Sequence, residues 1–458
     1  MKSVWTEDTE IRRRESLPGD MEVPAVVIGA GLAGILTAYY LQQEGIRAVV
    51  LEADRIGSGQ TKNTTAKITS QHNLIYSRLI RTFGRRMAEH YASANEAAIG
   101  EYERLIREKG IDCDFTRCPA CLYSQTSPEI LKREAEAAAS LGIRASFGTS
   151  CELPFPVAGV TRFENQARFH PLKFLAGMAE EVEVYEQTKV LKVEGRRVET
   201  AKGTVTAEHI VFVAHYPFIN VPGYYFARMH QERSYVLALE GAERLEGMYL
   251  GIDRGALSFR SSGNLLLLGG GGHRTGVNPK DRIVAERGYG MLRNRARDIY
   301  PGCQEAARWS AQDCMTLDGL PYIGRFSRCR PGWYVATGFG KWGMTTAMAS
   351  ARILTALIRG QDCPEGDIFS PGRRFTAQAA KSLAVHGAYT VKGLVKHLLP
   401  SGNKEIIPNC PHMGCRLEWN PEEESYDCPC HGSRFDREGN LMDGPAQIDC
   451  KKREKNND

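Results

Sequence analysis

Residues 26–34 read VVIGAGLAG, and they decide the fold. The apolar run over 23–28 stops at glycine, the pattern of a strand buried in a parallel sheet. Residues 32–44 (LAGILTAYYLQQE) then place apolar side chains at helical spacing, Gly45 ends them, and 48–51 form a second apolar strand closed by Glu52. Gly29, Gly31 and Gly34 thus stand in G-x-G-x-x-G spacing between a strand and a helix. In that setting the first glycine makes the tight turn, the second lets the backbone approach a pyrophosphate, and the third lets helix and strand pack closely. The phosphate charge meets the helix N-terminus. Glu52 ends the next strand, where a carboxylate can accept hydrogen bonds from an adenosine ribose. The alternative is a Gly-rich turn in an unrelated α/β protein, and the succession of strand, helix, second strand and acid weighs against it.

Around this unit the chain runs to 458 residues, enough for about three domains of ordinary size. Its 59 Lys and Arg against 54 Asp and Glu leave a net charge of +5, too slight for a nucleic-acid partner. Residues 1–20 form a polar arm without an apolar leader, and no stretch of the chain is apolar enough to be a transmembrane segment, so a cytoplasmic location is expected. The 13 cysteines, odd in number and without a leader, argue against a disulfide scaffold. Five of them fall in the last 49 residues, which points to a metal or redox site there. Helical patterns recur near 94–109, 128–141 and 281–298, with β-like stretches at 189–214 and 234–240. Gly-rich 263–276 reads as a strand running into a backbone-exposing turn. Residues 333–359 repeat the sequence of strand, glycine turn and helix. The stretch 373–408 reads as a basic connector, 409–450 as a separate Cys- and His-rich module, and 451–458 as a tail.

Two further segments carry a family signature: GSGQTKNTTAKIT at 57–69, and MTLDGLPYIG with VATGFGKWGMTTA between 315 and 347. With the glycine fingerprint they resemble the FAD-dependent D-amino-acid oxidase-like family, which includes glycine and sarcosine oxidases, over about 22–372. The resemblance implies an α/β (α+β) fold: a Rossmann-like FAD-binding domain over 21–372, with an antiparallel-sheet substrate domain interleaved at about 85–165 and 225–310. It implies FAD contacts at Gly59, Thr65 and Ala66, at Gly338, Gly343, Met344 and Thr345, and at Val190 and Ala214. Members of the family move a hydride from the carbon beside nitrogen to the flavin, and amino-acid oxidases among them hold the substrate carboxylate with an arginine just before T-x-D-G-x-P. This chain has Gln312 and Asp313 there, a departure that favours a cationic amine or a substrate held otherwise. His273, Arg274, Arg260 and Tyr322 are the catalytic candidates, with Arg325 and Trp342 as further residues of interest; each of them equally suits a packing or surface role.

Residues 410–435 place Cys410 and His412 as C-x-H and Cys428 and His431 as C-x-x-H. Two thiolates and two imidazoles can hold a [2Fe-2S] cluster, with the cysteines on one iron and the histidines on the other. Zinc accepts the same four ligands. The spacing, with the GC and CPCHGS sequences, resembles the Rieske domain. That resemblance implies a Cys415–Cys430 disulfide between the cluster loops and a third, shielding loop at Gly444 and Pro445. Only KEIIPN (404–409) precedes Cys410, so the strands that build the family's base sheet are missing, and this shortened β-type module is expected to rest on the flavin domain or to bind its cluster weakly. Cys113, Cys118, Cys121 and Cys151 also fit a plant-type ferredoxin spacing, but their segment alternates like a strand rather than forming an open cluster loop.

Flavin and cluster in one chain set the expected function. It is an FAD-dependent oxidoreductase that oxidises a small-molecule amine or amino acid and passes electrons to the [2Fe-2S] cluster, then to an acceptor protein or oxygen. The alternatives are a plain amine oxidase using oxygen, with a structural or regulatory cluster, and a zinc-binding redox sensor.

Overall fold

A computed structural model describes residues 2–277, 287–397 and 409–450. The expected tail, the end of the connector with most of KEIIPN, and the start of the 281–298 helix lie outside the described residues.

The apolar strand Met21–Ile28 lies at the heart of a mostly parallel sheet, with Ala48–Leu51 and then Glu183–Tyr185 on one side and Thr204–Phe212 and then Trp333–Thr337 on the other. Tyr322–Arg325 closes one edge antiparallel to Trp333–Thr337. The helix Leu32–Gln43 is buried along nearly its whole length because it packs against the helix Gly343–Ile358 as well as against the sheet. The two glycine-led segments singled out in the sequence therefore meet as neighbouring helices, their N-termini opening onto one cavity.

A second sheet takes its strands from both sides of the parallel one in sequence, in the order Gln304–Thr316, Met229–Glu240, Leu265–Arg274, Ser258–Ser262, Met248–Gly251, Thr116–Ser124, Gly159–Arg168, Lys67–Ile68. It was expected to be antiparallel, and one pairing departs: Met248–Gly251 runs parallel to Thr116–Ser124. The connector contains a long helix, Ala377–His397. Beyond it, four short antiparallel strands (Glu418–Asn420, Ser425–Asp427, Arg434–Phe435, Leu441–Asp443) surround a core of Cys410, Cys415, Leu417, Cys428, Cys430, Phe435, Ala446 and Cys450. The ferredoxin-like cysteines do not gather. Cys113, Cys118 and Cys121 belong to three separate cores, and burial pushes the Cys113 and Cys121 thiols up to about 12, away from the thiolate a metal needs. Among the described residues no helix is long and apolar enough to cross a membrane.

Candidate active site and metal centre

Gly29 turns the chain at φ +111°, with the backbone of Val213 and Ala214 about 3.1 Å from where a Cβ would stand. A Cβ at Gly34 would run into the Gly29 carbonyl, 3.0 Å from its carbon, so strand end and helix touch there with no room for a side chain. Gly31 caps the helix in extended conformation. Glu52 accepts hydrogen bonds from the N–H groups of Ala30 (2.7 Å) and Asp54 (2.9 Å), which orients its carboxylate. These elements border a cavity of about 1690 Å³ that Gly29, Gly31, Glu52, Gly59, Thr65, Val190, Ala214, Gly343 and Met344 all line. Gly34, Ala66, Gly338 and Thr345 do not line it. Ala66 and Gly338 hold left-handed turns beside it. Thr345 donates to the Thr69 carbonyl (2.9 Å) and lies 3.1 Å from His72 Nε2.

Sequence reasoning missed that histidine. Burial pushes His72 down to about 3, so the ring is neutral. Since the Thr345 hydroxyl is spent on Thr69, Nε2 donates to it and Nδ1 accepts from the Tyr91 hydroxyl at 2.6 Å. The fixed ring stacks on Trp342 at 4.8 Å and holds the indole against the cavity.

Of the four catalytic candidates only His273 lines the cavity, its ring stacked on Tyr235. The other three do not line it. Arg260 is buried and donates to the carbonyls of Thr65 and Phe169. Tyr322 is held between the guanidinium groups of Arg228 (4.2 Å) and Arg373 (4.3 Å). Arg274 follows His273 on a strand, so it points to the opposite face and donates to the carbonyls of Pro429 (3.0 Å) and Cys430 (2.9 Å). Arg325 is exposed, whereas Trp342 lines the cavity.

Lys341 and Lys67, which the sequence did not flag, are among the basic residues that line the cavity. Lys341 Nζ lies 2.7 Å from Ser234 Oγ and 3.5 Å from both Asp313 and Glu232, and His230 Nε2 is 3.5 Å from Glu232. Burial works against the Glu232 carboxylate, yet His230 and Lys341 outweigh it and hold the group near 2. A depressed acid stabilises the fold above its unfolded value and loses that contribution as pH falls. Stability should therefore drop between pH 4.5 and about 2, on the order of 1–3 kcal/mol from this group, and chemical denaturation of Glu232→Gln should show a correspondingly shallower slope in that window.

In the small module the cysteine and histidine loops come together. The Cys428 thiol hydrogen-bonds the Cys410 sulfur, and the rings of His412 and His431 meet edge to face at 5.0 Å. Burial lowers His412 to about 4 and His431 to about 3, so both imidazoles are neutral, as metal ligation requires. Nδ1 of each is buried without a hydrogen-bond partner, while Nε2 of His412 faces Asn220 Oδ1 at 3.0 Å. Two sulfurs and two orphaned ring nitrogens thus form a donor set that fits the cluster. Among the described residues the metal-capable side chains that crowd within 4.8 Å are Cys415, Cys428 and Cys430, and a disulfide joins Cys415 to Cys430. The four expected ligands are spread wider, which suits two irons rather than one tetrahedral ion.

The module rests on the flavin-type domain. Gln231 Nε2 donates to the carbonyls of His431 (2.8 Å) and Gly444 (2.9 Å). Gln312 Nε2 donates to the Gly432 carbonyl (2.8 Å) and to Gln231 Oε1 (2.7 Å). Gln312 therefore serves the module, while its neighbour Asp313 faces the cavity. Buried Arg233 pairs with Glu423 at 3.3 Å, and Lys189 donates to the Gln447 carbonyl at 2.6 Å. Asn420, Pro421, Glu422, Asp443, Gly444 and Gln447 form one wall of the cavity, so both modules enclose it.

Comparison with known proteins agrees with this geometry. Residues 25–357 match the family model for FAD dependent oxidoreductases, and 406–452 match that for the Rieske [2Fe-2S] domain. The putative Rieske 2Fe-2S iron-sulfur protein YhfW of Bacillus subtilis is 33% identical, over 97% of this chain and 96% of its own. Glycine oxidase from Geobacillus kaustophilus superposes with a TM-score of 0.64 at 20% identity, covering 77% of this chain and 99% of that one. L-proline dehydrogenase from P. horikoshii gives 0.62 at 19%, covering 78% and 98%. FAD and a [2Fe-2S] cluster are accordingly the cofactors of these two parts. With one match spanning most of its length and the other its terminal module, the chain belongs to the FAD dependent oxidoreductase family and carries a C-terminal Rieske [2Fe-2S] domain.

Proposed function

We propose that the protein oxidises an amine or amino acid at its flavin and passes the electrons to its own cluster, the flavin part spanning 21–372 and the cluster module 409–450. One observation carries this reading: the module walls the flavin cavity, and Gln231 ties both a ligand loop, at His431, and the cavity wall, at Gly444, to the same amide. When bound, FAD accepts a hydride from the carbon beside nitrogen, and the cluster carries single electrons onward.

The chain's own residues do the rest. Gly29, Gly31 and Ala214 leave the backbone bare for the pyrophosphate, Glu52 takes the ribose, Val190 borders the adenine side, and Gly59, Thr65, Gly343 and Met344 flank the isoalloxazine and ribityl chain. Gly34, Ala66 and Gly338 shape the turns that present them, and Thr345 ties its helix to the Thr69 carbonyl. Cys410, His412, Cys428 and His431 hold the iron. Asp313, where amino-acid oxidases place an arginine, offers a carboxylate balanced by Lys341, which suits an ammonium better than a second carboxylate. The solved structures with this fold include a glycine oxidase and an L-proline dehydrogenase, which supports a CH–NH donor.

The test is anaerobic titration of the purified holoenzyme with glycine, sarcosine, proline and simple amines. The expected result is bleaching of the flavin absorbance followed by the cluster's EPR signal. Bleaching with no cluster signal, or peroxide production in air at a rate unchanged by Cys428→Ser, would sink the coupling.

A further inference from the structure

Lys67 stands on the two-residue strand Lys67–Ile68, immediately after the turn that brings Thr65 to the cavity. Its Nζ lies 3.0 Å from the Tyr249 carbonyl and 2.6 Å from Ser258 Oγ, and Lys67 and Ser258 both line the cavity. Among the described residues no carboxylate pairs with it, and the charged or titratable groups that act on it are Arg260, Cys118 and Cys121. The charged groups around it make matters worse for a cation. Arg260 is buried beside it with both terminal nitrogens spent on carbonyls, and Arg168 is its register partner on the adjacent strand. Cys118 and Cys121 lie near it on Thr116–Ser124, and burial pushes both thiols up, so they stay neutral. The Tyr249 phenol is raised as well.

A half-buried ammonium beside a buried guanidinium, with no counter-ion, costs free energy that the lysine escapes by losing its proton and the guanidinium does not. Burial and Arg260 lower the lysine to about 7. The hydrogen-bond partners accept either state. A carbonyl takes an N–H from ammonium or amine alike, and the Ser258 hydroxyl turns from acceptor to donor when Nζ presents a lone pair.

We propose that Lys67 is the proton acceptor of the reductive half-reaction, taking the proton from the substrate's ammonium so that its nitrogen lone pair becomes available. The inference rests on the amine reading given above. In the step, an N–H bond of the substrate breaks and one forms at Nζ. The freed lone pair becomes the second bond of a C=N group as the C–H bond breaks and its hydrogen leaves with both electrons to FAD, the oxidant. The product is an iminium or imine, and Lys67 returns its proton to solvent through the cavity.

Two measurements on the holoenzyme test it. Competitive labelling with trace acetic anhydride, read by mass spectrometry across pH, should put the midpoint of Lys67 near 7, against about 10 for exposed lysines. Anaerobic stopped-flow reduction by whichever amine of the panel above bleaches the flavin should accelerate as pH rises through about 7. Lys67→Met should slow it about 100-fold or more and abolish that limb. Lys67→Arg keeps the charge but not the lone pair and should fail equally. A labelling midpoint near 10, or rescue by arginine, overturns the proposal in favour of a fixed cation. No bleaching by any amine while Lys67 still titrates near 7 overturns the amine reading and the proton-acceptor role with it, a result distinct from the first two.

Discussion

Cys428→Ser should purify yellow, with its FAD in place, but without iron or acid-labile sulfide. Cys428 is fully buried and its sulfur meets that of Cys410, so a serine there puts a short, poorly ionised hydroxyl where one iron needs a thiolate. Losing even an outer-shell partner lowers metal affinity about 10- to 100-fold, and loss of a ligand exceeds that. The flavin should be unaffected because the strand and helix that flank its glycine turn pack through Ile28, Ala30 and Leu32 into cores separate from the module's own. Iron and sulfide assays with flavin absorbance on one sample decide the matter. Cys113→Ser, in a core remote from the module, should leave both cofactors at full occupancy.

Gly34→Ala should do the reverse. The added carbon would meet the Gly29 carbonyl, and both partners are backbone, so relief requires the helix Leu32–Gln43 to move off the end of Met21–Ile28. That displacement widens the turn on which the pyrophosphate depends and opens a packed core, costing about 3 kcal/mol or more. The expected protein binds little FAD and melts early, yet retains iron if the module still docks. Gly100→Ala, on an exposed helical face with nothing within 4 Å, should stabilise by up to about 1 kcal/mol and leave the flavin in place. Flavin content and thermal unfolding of the pair separate a steric cause from a general intolerance of glycine replacement.

The contrast between what the sequence carried and what it hid follows from range. The turn at Gly29–Gly34 was legible because the hydrophobic period switches from strand to helix at a glycine, and the metal loops because their ligands lie two or three residues apart. Gln231, Gln312 and Glu423 come from distant parts of the chain, and paired polar side chains leave no periodic trace, so the seat of the module was invisible. One signal was present and unused. His273 and Arg274 are consecutive on a strand, so alternation alone allows only one of them to face the cavity. Arg260 was drawn towards chemistry by its charge, whereas its position inside the sheet gives it carbonyls to bind instead.

Gln231, Arg233, Arg274 and Gln312 of the flavin-type domain hold the module, which means that it borrows part of its foundation. A borrowed foundation that also lines the neighbouring cavity ties the two parts together, so that a change displacing Gln231 or Gln312 reaches an iron-ligand loop and the cavity wall at once.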